Sequence, residues 1–353
     1  MKQEQLLSLA HFEHLLGEYG LYQHAQFLEP RLSEGYCVDD NARAVLVLIR
    51  LFPYLDGMNA NIASRGLALC WKFLLDATRN DGTMYNFRTA EGVWLTHDIS
   101  GDMYARVLRA CVAVITCDTD KARIQQAREL LDKIIHNIDS IYIAPRACAE
   151  TLITFRDLAM HEKLSQDMQD IAQECANRLI AEWDQNASQE WPWFEHVMTY
   201  ANAILPHGIL AALQIISDPD KKLEHILRRS SNFLCTTTIR EHMFIPIGNS
   251  SWYRKNGRPS EYDQQPIEAA TMLDFLIDLR NWDQETISSE HVLLPYEWFF
   301  GNNTAQLEVA NNITGTCYDG LHDGAVNENC GAESLLSYMW AEVRMRQQPT
   351  LAR

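Results

Sequence analysis

Six strongly apolar stretches, each headed by a polar and aromatic segment, limit what this chain can become. They are VLVLIRLF (45–52), VLRACVAVI (107–115), TLITFRDLAM (151–160), ILAALQII (209–216), TMLDFLIDL (271–279) and SLLSYMWAEV (334–343). Their apolar residues recur at helical spacing, and strand-like alternation is scarce along the chain. Their heads are GYCVDDNARA, HDISGDMYAR, IAPRACAE, WPWFEHVMTYANAILPHG, RPSEYDQQPIEA and DGAVNENCGAES. Between them run ordinary amphipathic segments at 60–77, 121–138, 163–183, 221–235 and 288–300, and a sixth opens the chain at 3–19. A helix apolar all round must be buried, whereas a half-polar one can face water. Six inner helices alternating with six outer ones predict an all-α (α/α)6 toroid. No Pro/Ser/Gly linker divides the chain, so a single domain over 1–353 is expected.

In this arrangement the inner helices run parallel. Their heads then converge at one end of a rigid scaffold, where sites are commonly built. RPSEYDQQPIEA poses the question most sharply. Asp263 would cap the helix and Pro266 suits its first turn, which leaves Glu261, Gln264 and Gln265 without a capping task. Acids beside amides suit polyols, because amides donate and accept at once.

The other heads carry comparable groups. Asp39, Asp40 and Arg43 either cap and ion-pair or hold sugar hydroxyls and a catalytic water. Trp94, His97 and Asp102 precede the second inner helix, with Asp102 also spaced to pair with Arg106. Trp191 and Trp193 beside Glu195 form either a core cluster or a platform for sugar rings. His207 is either a core histidine or a ligand contact. IPIGN with Trp252 and Tyr253 reads as a loop or short hairpin over the cavity mouth, and Tyr262 stands in the acid–amide run that follows. Asp319, Asn327 and Glu333 crowd a glycine-rich turn before the last helix. The candidate catalytic carboxylates are Asp40, Asp102, Glu261, Asp263 and Asp319.

The formal charge of -17 argues against nucleic acid or an anionic membrane as partner and suits a neutral ligand. The opening segment has acids within its apolar pattern and no cleavage site, so it is not read as a signal peptide. Nine cysteines without CxxC pairing read as reduced thiols in a cytoplasmic protein. No nucleotide loop or zinc spacing is present, and neither a cofactor nor a metal is expected.

Taken together, GYCVDDNARA, WPWFE with TYANAILPHG, IPIGN, DQQPIEAA, CYDGL and NENCGAESLLSY resemble a bacterial group of six-hairpin glycosidase-like (α/α)6 proteins. Members occur alone or joined to family 4 glycosyltransferases, often near mannoside phosphorylases. Cys330 and Ile204 depart from the glutamine and the basic residue common in the group. The resemblance implies the toroid and a carbohydrate ligand, and a functional link to a glycosyltransferase. The leading reading is an inverting glycoside hydrolase acting on an oligosaccharide or glycan that contains mannose. The alternatives are a sugar isomerase or epimerase, and a non-catalytic glycan-binding partner of a glycosyltransferase.

Overall fold

The computed structural model describes residues 7–96, 100–136, 144–285, 287–348 and 351. Among these residues twelve helices alternate between an outer and an inner ring. The outer helices are α1 (Ala10–Leu15), α3 (Gly57–Ala77), α5 (Lys121–Ile135), α7 (Gln166–Asn186), α9 (Lys221–Thr238) and α11 (Ser289–Trp298). The inner helices are α2 (Val38–Leu51), α4 (Gly101–Cys117), α6 (Pro145–Ala159), α8 (Ile204–Ile215), α10 (Pro266–Trp282) and α12 (Ala332–Arg346). Each inner helix packs on the next, and α12 packs back on α2, which closes an (α/α)6 toroid.

Residue pattern explains the division. On α9 the buried positions Leu223, Ile226, Leu227, Ser230, Ser231 and Leu234 follow a single helical stripe. On α6 every residue from Arg146 to Leu158 is buried. Inner helices also approach closely: a Cβ on Gly208 of α8 would lie 2.5 Å from the Cα of Ala149 on α6. No described helix is long and apolar enough to cross a membrane, and all nine cysteines are free thiols.

Two expectations need correction. The opening segment 3–19 was expected to be one long helix, but α1 spans only Ala10–Leu15. The chain turns back immediately, with Leu16 bridging Leu21 and Gly17 wedged against Tyr36 and Tyr22. Nor are the inner helices apolar all round. Their facing sides carry a continuous ionic network. Arg109 of α4 donates to Asp274 of α10 at 2.9 Å, and Arg344 of α12 reaches Asp274 at 2.7 Å and also Asp278. Asp278 takes Arg156 of α6 at 2.6 Å and His207 of α8 at 2.8 Å. Asp157 takes Arg156 at 2.9 Å and Arg50 of α2 at 3.0 Å.

Among the described residues six short two-stranded ladders decorate the connections. One is the hairpin Ala25–Gln26/Glu29–Pro30, and another pairs Gly320–His322 with Ala325–Asn327. They shape the end of the toroid where the inner helices begin.

Burial alone would raise the Asp278 carboxyl, but Arg344, His207 and Arg156 hold it well below the usual range. Replacing Asp278 with Asn removes the carboxylate shared by two buried arginines, leaving Arg344 only Asp274 and Arg156 only Asp157. The substitution is expected to remove about 3–5 kcal/mol of stability in urea unfolding. Breaking the exposed Arg228–Glu224 pair on α9 by Arg228→Ala is expected to cost under about 0.5 kcal/mol. Because the folded-state pKa of Asp278 is depressed, its contribution is full above about pH 4 and fades as pH falls further.

Candidate active site

The heads of the inner helices meet at one end, as their side-chain contacts show. Arg43 of α2 joins Asp40 on its own helix at 2.8 Å and Glu333 of α12 at 3.0 Å. Asp39 pairs with Arg106 of α4, which lies 3.7 Å from Asp102. Asp102 accepts from the Tyr200 hydroxyl at 2.8 Å, in the segment leading into α8. Arg146, in the first turn of α6, grips Glu195 with two bonds of 2.9 Å and stacks over the Tyr200 ring. A chain of charges thus runs around the mouth from α12 to α6.

The helix starts differ between the two rings. The outer helices α5, α7, α9 and α11 are capped by the side chains of Asp120, Ser165, Asp220 and Ser288. Of the inner helices only α4, with Ser100, has such a cap. The polar residues of the other inner heads are therefore not explained as caps. This corrects the reading of Asp263: the residue preceding α10 is Gln265, and it makes no side-chain cap. Asp263 instead pairs with Nδ1 of His322 across the mouth.

Beside α10 and α12 lies a cavity of about 250 Å³. Its wall includes Asp263, Gln265, Asp319, His322, Asn327 and Glu333. Gln23, His24, Asn249, Gln264 and Ser334 complete its polar side chains. The cavity therefore holds three of the carboxylates expected from sequence, together with amides and two histidines. The Asp319 carboxyl is raised mainly by burial, with Glu333 adding to it. The Gly331 N–H, at 2.8 Å, and Ser334 pull the other way. Gly248 of IPIGN lets the loop approach: a Cβ there would sit 2.0 Å from the Tyr262 carbonyl oxygen. Beneath the mouth a smaller axial void of about 80 Å³ is lined by Arg106, Arg109, Glu150, Asp274 and Trp340.

Asp40 is buried, and burial raises its carboxyl against the opposing pull of Arg43. Asp39, Asp40, Arg43, Asp102 and Glu195 all belong to the ion pairs of the mouth.

Several expected contacts go elsewhere. Trp191 and Trp193 are buried, at 3% and 0% exposure, among Phe233, Phe194 and Tyr253. They are core, not a sugar platform, because their aromatic partners bury both faces of the segment. His207 belongs to the axial network, below the mouth. Gln264 lines the cavity but is fully buried behind its surface. Its side chain accepts from Trp298 at 2.7 Å and donates to Glu261 O and Thr304, so it has no free amide for a ligand. Glu261 pairs with Arg240 on the surface. Trp94 is half-buried against Phe73 and Tyr85, with Arg88 over its face. Trp252 and Tyr262 are half-buried and outside the cavity wall. His97 lies outside the described residues.

Sequence reasoning missed Arg146, Tyr200, His24 and Glu268. The head IAPRACAE carries Arg146 and Glu150 four apart in an otherwise apolar run, a signal that could have been used. Glu268, in the first turn of α10, is the least conventional of these. It is 5% exposed, and one oxygen accepts from the Asn202 backbone N–H at 3.3 Å and from its side-chain amide at 3.2 Å. The other oxygen has no partner. Burial raises this carboxyl to about 7. No group of three or more His, Cys, Asp or Glu among the described residues is arranged to hold a metal.

Because the folded state holds the Glu268 proton more tightly than the unfolded chain does, the associated stability is present at low pH. It is lost as pH rises from about 4.5 to about 7. Glu268→Gln removes that dependence. Thermal melts should show the variant gaining about 2–3 kcal/mol on the native protein between about pH 4 and about pH 8. Parallel pH profiles would contradict the assignment.

No family model and no curated protein matches the chain. Solved structures do match its fold. The cellobiose 2-epimerase of Bacillus thermoamylovorans is 10% identical, with a TM-score of 0.72 over 97% of each chain. A GH76 alpha-mannanase of Bacteroides thetaiotaomicron is 9% identical, with a TM-score of 0.64 over 97% of this chain and 94% of its own. A D-mannose isomerase is 10% identical, with a TM-score of 0.67 over 96% and 94%. The fold shared with these structures is the (α/α)6 toroid.

Proposed function

We propose that the protein is a carbohydrate-active enzyme that hydrolyses a glycosidic bond in an oligosaccharide or glycan at the mouth cavity. One observation carries this reading: Asp319 and Asp263 share a cavity wall in unlike surroundings, among amides suited to sugar hydroxyls. Asp319, raised by burial, is the proton donor to the leaving oxygen. Asp263, more exposed and oriented by His322, is the carboxylate that activates water. A donor and a water-activating base on opposite sides of the sugar give an inverting reaction. The GH76 alpha-mannanase supports hydrolysis as a chemistry this toroid can host. Mannose in the substrate, and a functional link to a glycosyltransferase, rest on the motif resemblance.

A second reading has its own observation. His24 and His322 both line the cavity, and isomerases or epimerases move a proton next to a carbonyl, often with histidines. The fold is shared with two such enzymes, a cellobiose 2-epimerase and a D-mannose isomerase. Three carboxylates in the same wall favour hydrolysis over this alternative.

The two are separated by incubating the protein in D₂O with α-manno-oligosaccharides, cellobiose and mannose. Hydrolysis predicts new reducing ends without deuterium on carbon. Asp319→Asn and Asp263→Asn should each lower kcat by about 10²–10⁴ with little loss of stability. Deuterium beside the carbonyl without cleavage would support the epimerase reading and contradict ours.

A further inference from the structure

The hairpin Ala25–Gln26/Glu29–Pro30 is closed by the two-residue loop Phe27–Leu28. Such tight hairpins ordinarily use Asn or Gly, because the loop demands positive φ. Here Phe27 adopts φ 53°, a conformation that costs a bulky residue about 1–3 kcal/mol. The same residue is 56% exposed, and Leu28 is 46% exposed. Two long-range bonds hold the loop in place. The Phe27 N–H donates to Asn329 Oδ1 at 2.9 Å, and its carbonyl accepts from the Cys330 N–H at 2.9 Å. The fold thus fixes a strained, solvent-facing aromatic where glycine would serve the turn better.

What Phe27 faces is a groove of about 710 Å³. Phe27, Leu28 and Tyr318 supply its apolar surface, and Glu308, Asn311 and Glu328 its polar surface. No Lys or Arg lines it among the described residues. Neighbouring residues of the chain line the groove and the mouth cavity. Tyr318 and Glu328 line the groove, their neighbours Asp319 and Asn327 line the cavity, and His24 of the cavity wall immediately precedes the hairpin whose Phe27 lines the groove. The mouth cavity, at about 250 Å³, falls below the roughly 300–1,000 Å³ usual for small-molecule sites, whereas the groove lies within that range.

We propose that this groove binds further units of a neutral oligosaccharide whose reacting unit occupies the mouth cavity, with Phe27 and Tyr318 as the surfaces on which sugar rings stack. Apolar C–H faces of pyranoses suit the aromatic rings, and their hydroxyls suit the carboxylates and amide. The two glutamates disfavour uronate-containing chains. The substrate is then a chain rather than a free monosaccharide. The proposal rests on the reading of the mouth cavity as a carbohydrate site.

The test is calorimetric titration of the full chain with α-manno- and cello-oligosaccharide ladders, from the monosaccharide to the pentasaccharide, alongside turnover of the same ladders. In the native protein affinity should rise with length in at least one ladder. Phe27→Gly relaxes the turn, so its Tm should equal or exceed that of the native protein. Its affinity for the longest chain should nevertheless fall about fivefold, with the shortest bound form unaffected. Phe27→Trp should keep the length dependence. Turnover with length-independent binding, or an equal effect of Phe27→Gly on every length, would overturn the groove assignment and leave the mouth reading standing. Absence of both binding and turnover in every ladder would overturn both. A native dimer that Phe27→Gly converts to monomer, with sugar binding unaltered, would make the patch a contact between copies of this chain and likewise overturn the proposal.

Discussion

The toroid depends on the buried ionic ladder along its axis. Each inner helix contributes to it: Arg50, Arg109, Arg156 and Asp157, His207, Asp274 and Asp278, and Arg344. Buried pairs of this kind give little net stability relative to apolar packing, because desolvation offsets their attraction. Their value here is geometric. An apolar helix can rotate or slide against its neighbours at modest cost, whereas a guanidinium that loses its carboxylate cannot. The ladder therefore fixes rotation and height for all six inner helices. Everything at their N-termini inherits that register.

The mouth is the consequence. Most inner helices start without a side-chain cap, and their first turns carry residues that pair around the rim or line the cavity. Helix N-termini favour negative charge, and Arg43, Arg106 and Arg146 offset the rest, so a crowd of acids is tolerated there in a protein already at -17. Crowding and burial together separate the carboxyls by environment: Asp319, Asp40 and Glu268 are raised, while Asp263 faces His322. Unlike carboxyls in one end of a rigid scaffold are the usual raw material of acid–base catalysis.

Periodicity made the architecture legible. The alternation of apolar and amphipathic helices is local, and each helix announces its own ring. The partners of polar residues were not legible, because they lie far apart in sequence. Arg109 and Asp274 are 165 residues apart, and nothing in VLRACVAVI or TMLDFLIDL says that their charges meet. Trp191 and Trp193 have the composition of a platform, and only the distant Phe233 and Tyr253 turn them into core. Glu268 reads as an ordinary first-turn acid until Asn202 and burial show otherwise. Asp263 and Asp319 were visible because their heads held more polar residues than capping needs. Phe27 was not, because its oddity lies in its backbone angle.

The proposed function requires that the inner-helix heads build one carbohydrate-processing site at the mouth cavity, with Asp319 and Asp263 on either side of the bond that reacts. The most direct test is the crystal structure of Asp319→Asn with an oligosaccharide the native protein turns over. The expected result is a glycosidic oxygen within hydrogen-bond reach of residue 319 and the anomeric carbon facing Asp263 across a water. A ligand seated away from this cavity, or a glycosidic oxygen flanked by neither residue, would contradict it.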